Sequence, residues 1–488
     1  MLSGRGNSVR PVIVLAVVAL MAATMACGGG KKSGTGDASD TIASHALPDT
    51  LIVGTLYSPT AFFILRDDTL GYDYERICDF ARDHGIGLRF KVAESMKELM
   101  GFLEKGEVDL LAVEIPEIAE YKSVVIPCGS PNVTYQVLVQ PNTKDVITDV
   151  TQLVGHDVYV IQGSQYEARL RNLDSEIGGG INIHPIDNDT IIDEDLIDMV
   201  ATGKLPMTVV NSDIAQLNAT YYGDDKIDIS LRVSFAQRSS WAVGKNDAWL
   251  ADTINAWAAS DRAKAFSLEA KRRYFELSKS NGDSADYQLK DGDISPYDSL
   301  FRVYAPTARV DWLMLAAICK VESGFNNHLI SWAGARGIMQ VMPSTAKAYG
   351  FTADDLDDPE KCIDVASQSL ADLEEFLKPR ITDEAERMHF KIASYNSGVG
   401  HIVDAIALAK KYDLDPNVWY ENVEEAALWK SRPEYYNDPV CRYGYFRAKE
   451  TVNYVKQVEQ AYDDFVALAK PKNTKPKSRH HKSRRHKR

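Results

Sequence analysis

The stretch that decides the fold of the C-terminal half is Cys319-Lys-Val-Glu-Ser-Gly-Phe325, in which Glu322 closes an apolar helical pattern. A glycine-rich turn follows it, Ser331-Trp-Ala-Gly-Ala-Arg-Gly-Ile-Met-Gln-Val-Met-Pro343. Two further motifs stand downstream, Ala393-Ser-Tyr-Asn-Ser-Gly398 and Glu450-Thr-Val-Asn-Tyr-Val455. A single Glu-Ser pair carries no information, but four motifs in this order indicate one site built from several helices.

The sequence around these motifs has an almost wholly helical pattern. Apolar residues recur at the spacing of one helix face in the segments 309–321, 364–377, 385–394, 399–411 and 448–469. We therefore expect an all-α domain over residues 299–470.

The four motifs resemble those of the lytic transglycosylases of the lysozyme superfamily, which cut the glycan of the bacterial cell wall. Residues 398–409 and 444–450 are similar to the membrane-bound murein transglycosylase F subgroup, in which a solute-binding-like domain precedes the catalytic one. The resemblance implies a lysozyme-like fold, peptidoglycan glycan strands as the substrate, and Glu322 as the catalytic group. It implies neither a cofactor nor a metal.

Cleavage of a glycosidic bond needs an acid that protonates the leaving oxygen, so the pKa of a catalytic carboxyl group must be raised. Glu322 follows an apolar stretch and stands near the C-terminal end of its predicted helix; burial and the helix dipole both disfavour its anion there. Hydrolysing glycosidases usually need two carboxylates. No second acid stands in a comparable motif, because Glu421, Glu424 and Glu425 lie in a charged run expected to face solvent. A single carboxylate favours chemistry without water.

The resemblance implies the rest of the mechanism. The acetamido group of MurNAc stabilises the developing cation, and Glu322 then takes a proton from the C6 hydroxyl, which closes a 1,6-anhydroMurNAc ring. Two alternatives remain open at this point. One is a lysozyme-like muramidase that hydrolyses the same bond, and the other is a wall-sensing binding protein with an inactive enzyme domain.

Other residues of the motifs are expected to bind substrate: Ser331, Met339, Gln340, Tyr395, Asn396 and Tyr454. The hydroxyl of Ser331 suits the acetamido group or the C6 oxygen, and Gln340 can both donate and accept toward a sugar. A surface serine and a buried structural glutamine remain the alternatives. Ser323 and Glu450 are expected to be structural residues near the site. Core packing is expected of Trp332, Trp419 and Trp429.

Residues 51–278 alternate short apolar strands with amphipathic helices, which predicts a mostly parallel α/β sheet in two lobes. They resemble the bilobal solute-binding proteins of family 3, through Leu51-Ile-Val-Gly-Thr-Leu56 and Gly155-His-Asp-Val-Tyr-Val-Ile161. The arginine that clamps a ligand carboxylate in that family is absent from residues 114–123, and Asn211 replaces a common amine-binding aspartate. We expect a regulatory domain whose ligand is a muropeptide or peptide, or a packing domain with no ligand.

The N-terminus has the pattern of an export signal, with Arg5 and Arg10 ahead of an apolar run too short for a comfortable transmembrane span. The run ends before Cys27, as in bacterial lipoproteins. We expect residues 1–26 to be a signal peptide and lipidated Cys27 to anchor the protein to a membrane. The expected location is the periplasmic face of the cell envelope, as an outer-membrane lipoprotein; an ordinary secretory signal remains open.

The remaining segments are polar. Residues 27–50 are expected to form a flexible tether, 279–298 a linker and 471–488 a basic disordered tail. The chain of 488 residues has a net charge of −14, which argues against a nucleic-acid enzyme. The cysteines after Cys27 form no CxxC motif, so a zinc site is not expected. Two pairings are left open, Cys78 with Cys128 and Cys362 with Cys441.

Overall fold

A computed structural model describes residues 46–186, 191–222, 226–277 and 293–469. The predicted signal peptide, Cys27 and the tail lie outside these residues, as do most of the tether and most of the linker. The described chain has an α/β region followed by a helical region.

The α/β region contains these strands: β1 (Thr50–Leu56), β2 (Phe63–Leu65), β3 (Asp68–Leu70), β4 (Gly87–Ala93), β5 (Leu110–Pro116), β6 (Val125–Thr134), β7 (Gln136–Pro141), β8 (Asp157–Ile161), β9 (Asn182–Ile186), β10 (Thr208–Asn211), β11 (Ile227–Asp228) and β12 (Gln237–Gly244). Its helices are α1 (Tyr72–His84), α2 (Met96–Glu104), α3 (Ala119–Lys122), α4 (Gln165–Ile177), α5 (Asp193–Ala201), α6 (Ser212–Ala219), α7 (Ala248–Ala259) and α8 (Asp261–Phe275).

Two five-stranded sheets form the two lobes, with the orders β4-β1-β5-β12-β6 and β11-β7-β10-β8-β9. In the first lobe, β1 pairs in parallel with β4 and β5, whereas β12 is antiparallel to β5 and β6. In the second lobe, β10 is parallel to β8 and antiparallel to β7. The prediction of a mostly parallel sheet is therefore corrected to two mixed sheets. The cause is the crossing between lobes, because β6 leads the chain out of the first sheet and β12 brings it back in the opposite direction.

The strand and helix patterns read from the sequence are otherwise confirmed. The strand β8 lies within the stretch Gly155–Ile161 that carries the resemblance, and α1 ends at Gly85, which adopts the left-handed conformation that favours glycine. The short antiparallel pair of β2 and β3, called here the hairpin, has no counterpart among the predicted elements. It precedes α1 and becomes central to the site.

The helical region contains α9 (Asp298–Ala308), α10 (Trp312–Ser323), α11 (Pro343–Ala348), α12 (Pro359–Leu377), α13 (Glu384–Ser397), α14 (Val399–Lys411), α15 (Glu424–Trp429), α16 (Pro433–Tyr436) and α17 (Ala448–Ala469). The helices α14 and α17 have the predicted bounds. The almost wholly buried α10 packs between α9 and α17 at the centre of one apolar core.

The five described cysteines are all free thiols, so neither of the two suggested pairings is formed. Cys319 is fully buried in the core of α10, as expected. Within the described ranges, no helix is long and apolar enough to cross a membrane, and no cluster of His, Cys, Asp or Glu is arranged to hold a metal ion.

Candidate active site

Glu322 lies in the last turn of α10, which ends at Gly324 in the left-handed conformation. Only 6% of its surface is exposed, and its helix packs against α9 and α17. Burial is the largest influence on this carboxyl group and raises its pKa above the ordinary value. The predicted direction of the shift is confirmed.

Tyr454 holds the carboxyl group of Glu322 in place. Its phenol oxygen donates a hydrogen bond to Oε1 of Glu322 over 2.7 Å. Tyr454 is itself buried on α17, whose apolar face packs against α10. The position of the phenol is therefore set by the helix packing, and its expected contact with substrate stays a prediction.

Two hydroxyl groups hold the glycine-rich turn in place near Glu322. Ser323 donates from Oγ to the carbonyl oxygen of Ile338 over 2.6 Å. Tyr395 donates from its phenol to the carbonyl oxygen of Met339 over 2.8 Å. Both bonds join a helix to the glycine-rich turn. The side chain of Met339 is fully buried, so it packs in the core rather than toward a substrate.

Gln340 is held by the same turn. It adopts a φ of 49°, and its Nε2 donates to the carbonyl oxygens of Leu329 and Gly337 over 2.9 and 2.8 Å. Glycine is required at 337, since an added Cβ would lie 2.1 Å from the carbonyl oxygen of Leu356. The amide of Gln340 thus stabilises the turn, which is the structural alternative considered for it.

A cavity of about 570 Å³ lies beside Glu322 and runs between the helical region and the α/β region. Its wall includes Glu322 and five of the residues singled out from the sequence, Ser331, Gln340, Asn396, Glu450 and Tyr454. Trp332 also lines it, packing against Phe63 of the hairpin, so it is not a simple core residue. Trp419 is fully buried and is a core residue, as expected. Trp429 stacks on Tyr435 against the same core.

Three polar residues of the cavity wall have partners within the chain. Ser331 Oγ accepts from the backbone N–H of Ala335 over 3.0 Å, and Asn396 Oδ1 accepts from Thr451 Oγ1 over 2.7 Å. Glu450 accepts from Nε of Arg447 over 2.6 Å. Glu450 is the second carboxylate on the wall, but it is neutralised by this arginine and is not among the groups that shift the pKa of Glu322.

The charged run after Trp419 is only partly as expected. Glu421 and Glu425 are exposed, whereas Glu424 is 6% exposed and pairs with Lys456 of α17. The expectation of a solvated face is wrong for Glu424. Its side chain joins α15 to α17, because the apolar face of α15 turns this position inward.

Arg66, which the sequence did not reveal, occupies the position next to the acid. It stands at the tip of the hairpin, where Arg66 and Asp67 adopt φ values of 51° and 64°. Its Nη2 donates to Oε1 and Oε2 of Glu322 over 3.0 and 2.9 Å. Its Nε donates to the carbonyl oxygen of Asn396 over 2.9 Å, and its Nη1 to that of Gln340. The guanidinium thereby contacts both oxygens of the Glu322 carboxyl group.

The catalytic region has a surface that receives the hairpin. The backbone N–H of Arg66 donates to the carbonyl oxygen of Ser397 over 2.8 Å. The hairpin lies so close to Gly398 that a Cβ there would be 2.8 Å from the backbone nitrogen of Asp67. Ser344 Oγ donates to Asp68 Oδ2 over 2.6 Å at the edge of the contact.

His401 fixes the base of the hairpin through the carbonyl oxygen of Ile64. Lys430 donates to Nδ1 of His401 over 3.0 Å and to Oδ2 of Asp404 over 2.7 Å. Because Nδ1 accepts, Nε2 carries the proton and donates to the Ile64 oxygen over 2.8 Å. Burial, followed by the charge of Lys430, lowers the pKa of His401 and keeps the ring neutral.

The second lobe also contacts the catalytic region. Arg447 donates from Nη1 to Oδ1 of Asn218 on α6 and lies 4.0 Å above the ring of Tyr221. Lys449 pairs with Asp198 on α5. Each lobe therefore makes its own contact with the catalytic region, the first through the hairpin and the second through α5 and α6.

No single-sequence signal could have placed Arg66 at the site. Its partner Glu322 is 256 residues away. The local signals were an apolar stretch on each side of Arg66-Asp67-Asp68 and the charged tip itself, which predict a hairpin but not its partner.

Comparison with known proteins agrees with this architecture. Residues 299–417 match the family described as the transglycosylase SLT domain. A membrane-bound lytic murein transglycosylase F of Pseudomonas fluorescens is 29% identical over 445 residues, covering 90% of this chain and 89% of the relative. The protein of the same name from Pseudomonas putida is 29% identical over 426 residues, covering 86% of each.

Among solved structures, the unliganded L-cystine solute receptor of Neisseria gonorrhoeae is similar at 17% identity and a TM-score of 0.40, covering 47% of this chain and 94% of that receptor. With residues 299–417 matching the SLT domain, and relatives of the same name aligned over most of its length, the chain is similar to the membrane-bound lytic murein transglycosylases F.

Proposed function

We propose that this protein cleaves the β-1,4 bond between MurNAc and GlcNAc in peptidoglycan without water, and that Glu322 is its single general acid and base. The observation that carries the proposal is the buried carboxyl group of Glu322, which Tyr454 orients and whose pKa no second carboxylate of the described residues shifts. A pair of carboxylates, as used for hydrolysis, is not assembled there.

The reaction would proceed in two steps. Glu322 first gives its proton to the oxygen of the glycosidic bond, which breaks, and the acetamido group of MurNAc stabilises the cation at C1. The Glu322 carboxylate then takes the proton of the C6 hydroxyl, and the C6 oxygen bonds to C1 to form the 1,6-anhydro ring. The raised pKa of Glu322 suits the first step, because the acid must hold its proton near neutral pH.

We also infer that the α/β region is a regulatory domain, and that the arrangement with Arg66 on Glu322 is a resting state. A carboxylate paired with a guanidinium cannot donate a proton, and the hairpin occupies the space beside it. Withdrawal of Arg66 removes the charge and the hydrogen bond through which it lowers the pKa of Glu322, and leaves only the hydrogen bond from Tyr454 to act against burial. The same movement would thus open the cavity and restore the acid.

The proposed location is the periplasmic face of the outer membrane, with the chain anchored through lipid on Cys27. The support is the sequence pattern ahead of Cys27 and the words "membrane-bound" in the names of the relatives. Metabolic labelling with a palmitate analogue, compared between the wild type and Cys27→Ala, tests it. A labelled Cys27→Ala variant would contradict the anchor.

Digestion of purified sacculi, followed by mass spectrometry of the products, tests the catalytic proposal. The wild type is expected to release anhydromuropeptides, one water lighter than the products of hydrolysis. Glu322→Gln should release none while remaining folded, and the matched control Glu384→Gln, an exposed glutamate of α13, should behave as the wild type. Reducing-end products would instead favour a muramidase, and no products from the wild type would favour a binding protein.

A further inference from the structure

A second cavity lies between the second lobe and the catalytic region. Its volume is about 480 Å³, within the range of pockets that hold small molecules. Residues in and around α5 form one wall, and the end of α15 with the first turns of α17 forms the facing wall. Lys449 and Asn453 of α17 line both this cavity and the one beside Glu322. The second cavity is therefore a neighbour of the candidate active site across α17.

Most charged groups of the second cavity are paired across or along its walls. Lys449 of α17 pairs with Asp198 of α5, which joins the two walls. Lys456 of α17 pairs with Glu424 of α15, both on the catalytic side. These four groups balance one another and leave no net charge for a ligand.

Three other acids of the cavity wall are not paired in this way. Burial raises the pKa of Glu194 to about 7, so its carboxyl group is only partly ionised at neutral pH. Asp195 accepts from the backbone N–H of Ile192 over 3.2 Å at the start of α5, where negative charge is favoured. Glu425 is exposed, so water and salt screen its charge. None of these acids is buried as a full negative charge without a partner.

Two basic side chains of the same cavity lack a partner. Arg432, just after α15, has an Nε that is buried and without a hydrogen-bond acceptor within the described ranges. Lys204, just after α5 on the facing wall, is exposed and forms no ion pair with any residue that the structure describes. A buried donor requires an acceptor. The cavity therefore has a missing acceptor at Arg432 and a positive charge on each wall.

We propose that the second cavity binds a small organic carboxylate with an apolar side chain, and that the carboxylate accepts from Arg432. The planar guanidinium matches a carboxylate, and Lys204 adds a second positive charge from the second lobe. Met199, Leu428 and Trp429 give the cavity an apolar surface for the side chain. Such a ligand contacts the second lobe and the catalytic region together and holds one against the other. Its biological meaning rests on the regulatory role proposed above for the α/β region.

Calorimetric titration of the full chain at neutral pH tests this proposal, with N-acetylleucine as the probe and N-acetylleucinamide as an uncharged counterpart of the same shape. We expect N-acetylleucine to bind, and the amide to bind about tenfold more weakly or not at all. Arg432→Gln should weaken N-acetylleucine by about tenfold or more, because it removes a hydrogen bond to a charged group. Lys204→Gln should weaken it by about two- to fivefold, because an exposed charge contributes less. Arg380→Gln, at an exposed arginine of the catalytic region, should leave it unchanged.

Absence of N-acetylleucine binding, equal binding of the amide, or unchanged binding in Arg432→Gln and Lys204→Gln would overturn the proposal. Thermal unfolding midpoints establish that each variant is folded, and the exposed position of Lys204 guards against a folding defect at Arg432. Neither residue is part of the described wall of the cavity beside Glu322, and the titration needs no cell-wall substrate. Its failure would therefore leave the transglycosylase proposal intact, and a lack of anhydromuropeptides would not affect this result.

Discussion

Two buried acidic sites in this protein differ in how their charge is balanced. At the catalytic site, the single carboxylate of Glu322 is matched by a single guanidinium, which arrives on the hairpin of another domain. In the cleft between the lobes, the four carboxylates Asp73, Glu114, Asp193 and Asp213 interact, and Arg76 pairs with Asp73. The charge of the first site is balanced within the chain, whereas that of the second is balanced only in part by the described residues. The two are close in sequence, since Asp73 follows Arg66 by seven residues.

The largest effect on activity is expected when Glu322, the acid of the ion pair with Arg66, is replaced. Glu322→Gln keeps the shape of the side chain but cannot donate or accept the transferred proton. We expect its rate of anhydromuropeptide release to fall by about 10²- to 10⁴-fold or to undetectable levels. The same loss should occur in the Arg66→Ala background, because opening the site cannot replace the acid. Retained activity in the double variant would mean that another group supplies the proton.

Replacing Arg66, the other member of the ion pair, should raise activity instead of lowering it. Arg66→Ala removes the guanidinium that blocks and neutralises Glu322, and we expect release from sacculi to rise about tenfold, a shift of roughly 1.4 kcal/mol in the equilibrium between closed and open states. Arg89→Ala is the matched control, since Arg89 is an exposed arginine on β4 of the same lobe. Equal rates in all three proteins would show that the hairpin does not limit access.

A smaller effect is expected when one contact of the hairpin is removed and the charge of Arg66 is kept. Ser344→Ala removes the 2.6 Å hydrogen bond to Asp68 and leaves Arg66 in place. Because a typical hydrogen bond contributes about 0.5–1.5 kcal/mol and this one is exposed, we expect a rise near the lower limit, of about two- to threefold. Initial rates on labelled sacculi measure it. A rise as large as that of Arg66→Ala would mean that the contacts of the hairpin with the catalytic region, rather than the ion pair between Arg66 and Glu322, limit activity.

The extent of prediction from sequence differs between the same two regions. The motifs singled out Glu322 and Tyr454, which the structure brings into contact, because local patterns fix helices and the apolar faces of those helices pack together. Strand β8 and helices α14 and α17 followed from periodicity alone. Patterns of this kind depend on neighbours within a few residues, and these elements obey them.

The rest depends on contacts between residues far apart in the chain. Arg66 lies in a hairpin whose strands have three residues each, which is too short for a periodic signal. Its role depends on its partner Glu322, which lies in another domain. The cleft carboxylates come from four separate elements and each resembles an ordinary acid in a first helical turn or a strand. The mixed order of the sheets likewise arises from how β6 and β12 cross between the lobes.

The smallest predicted effect concerns the cleft without a ligand. The pKa of Glu114 is raised to about 8, above its ordinary value, by burial and by Asp213 and Asp73. The folded state therefore holds the proton of Glu114 more tightly than the unfolded state does. Its contribution to the free energy of unfolding is complete at low pH. It is lost as pH rises through about 8, because the folded state must then ionise Glu114 beside the other carboxylates. Glu114→Gln stays neutral and lacks this loss.

We therefore expect the free energy of unfolding to fall more steeply between pH 5.5 and 8 in the wild type than in Glu114→Gln, by on the order of 1 kcal/mol. Urea titrations of the full chain, followed by tryptophan fluorescence, measure the difference. Glu176→Gln, with its exposed side chain, should keep the slope of the wild type. Identical slopes in all three proteins would mean that Glu114 ionises as an ordinary surface glutamate.

The most direct test of the central claim is the product mass and the release rate from sacculi digested by the wild type and by Arg66→Ala under the same conditions. The account predicts 1,6-anhydro products from both proteins and faster release from Arg66→Ala. Products that carry an added water would contradict the single-carboxylate mechanism. An unchanged or slower rate from a folded Arg66→Ala protein would contradict the role of the hairpin in holding Glu322 inactive.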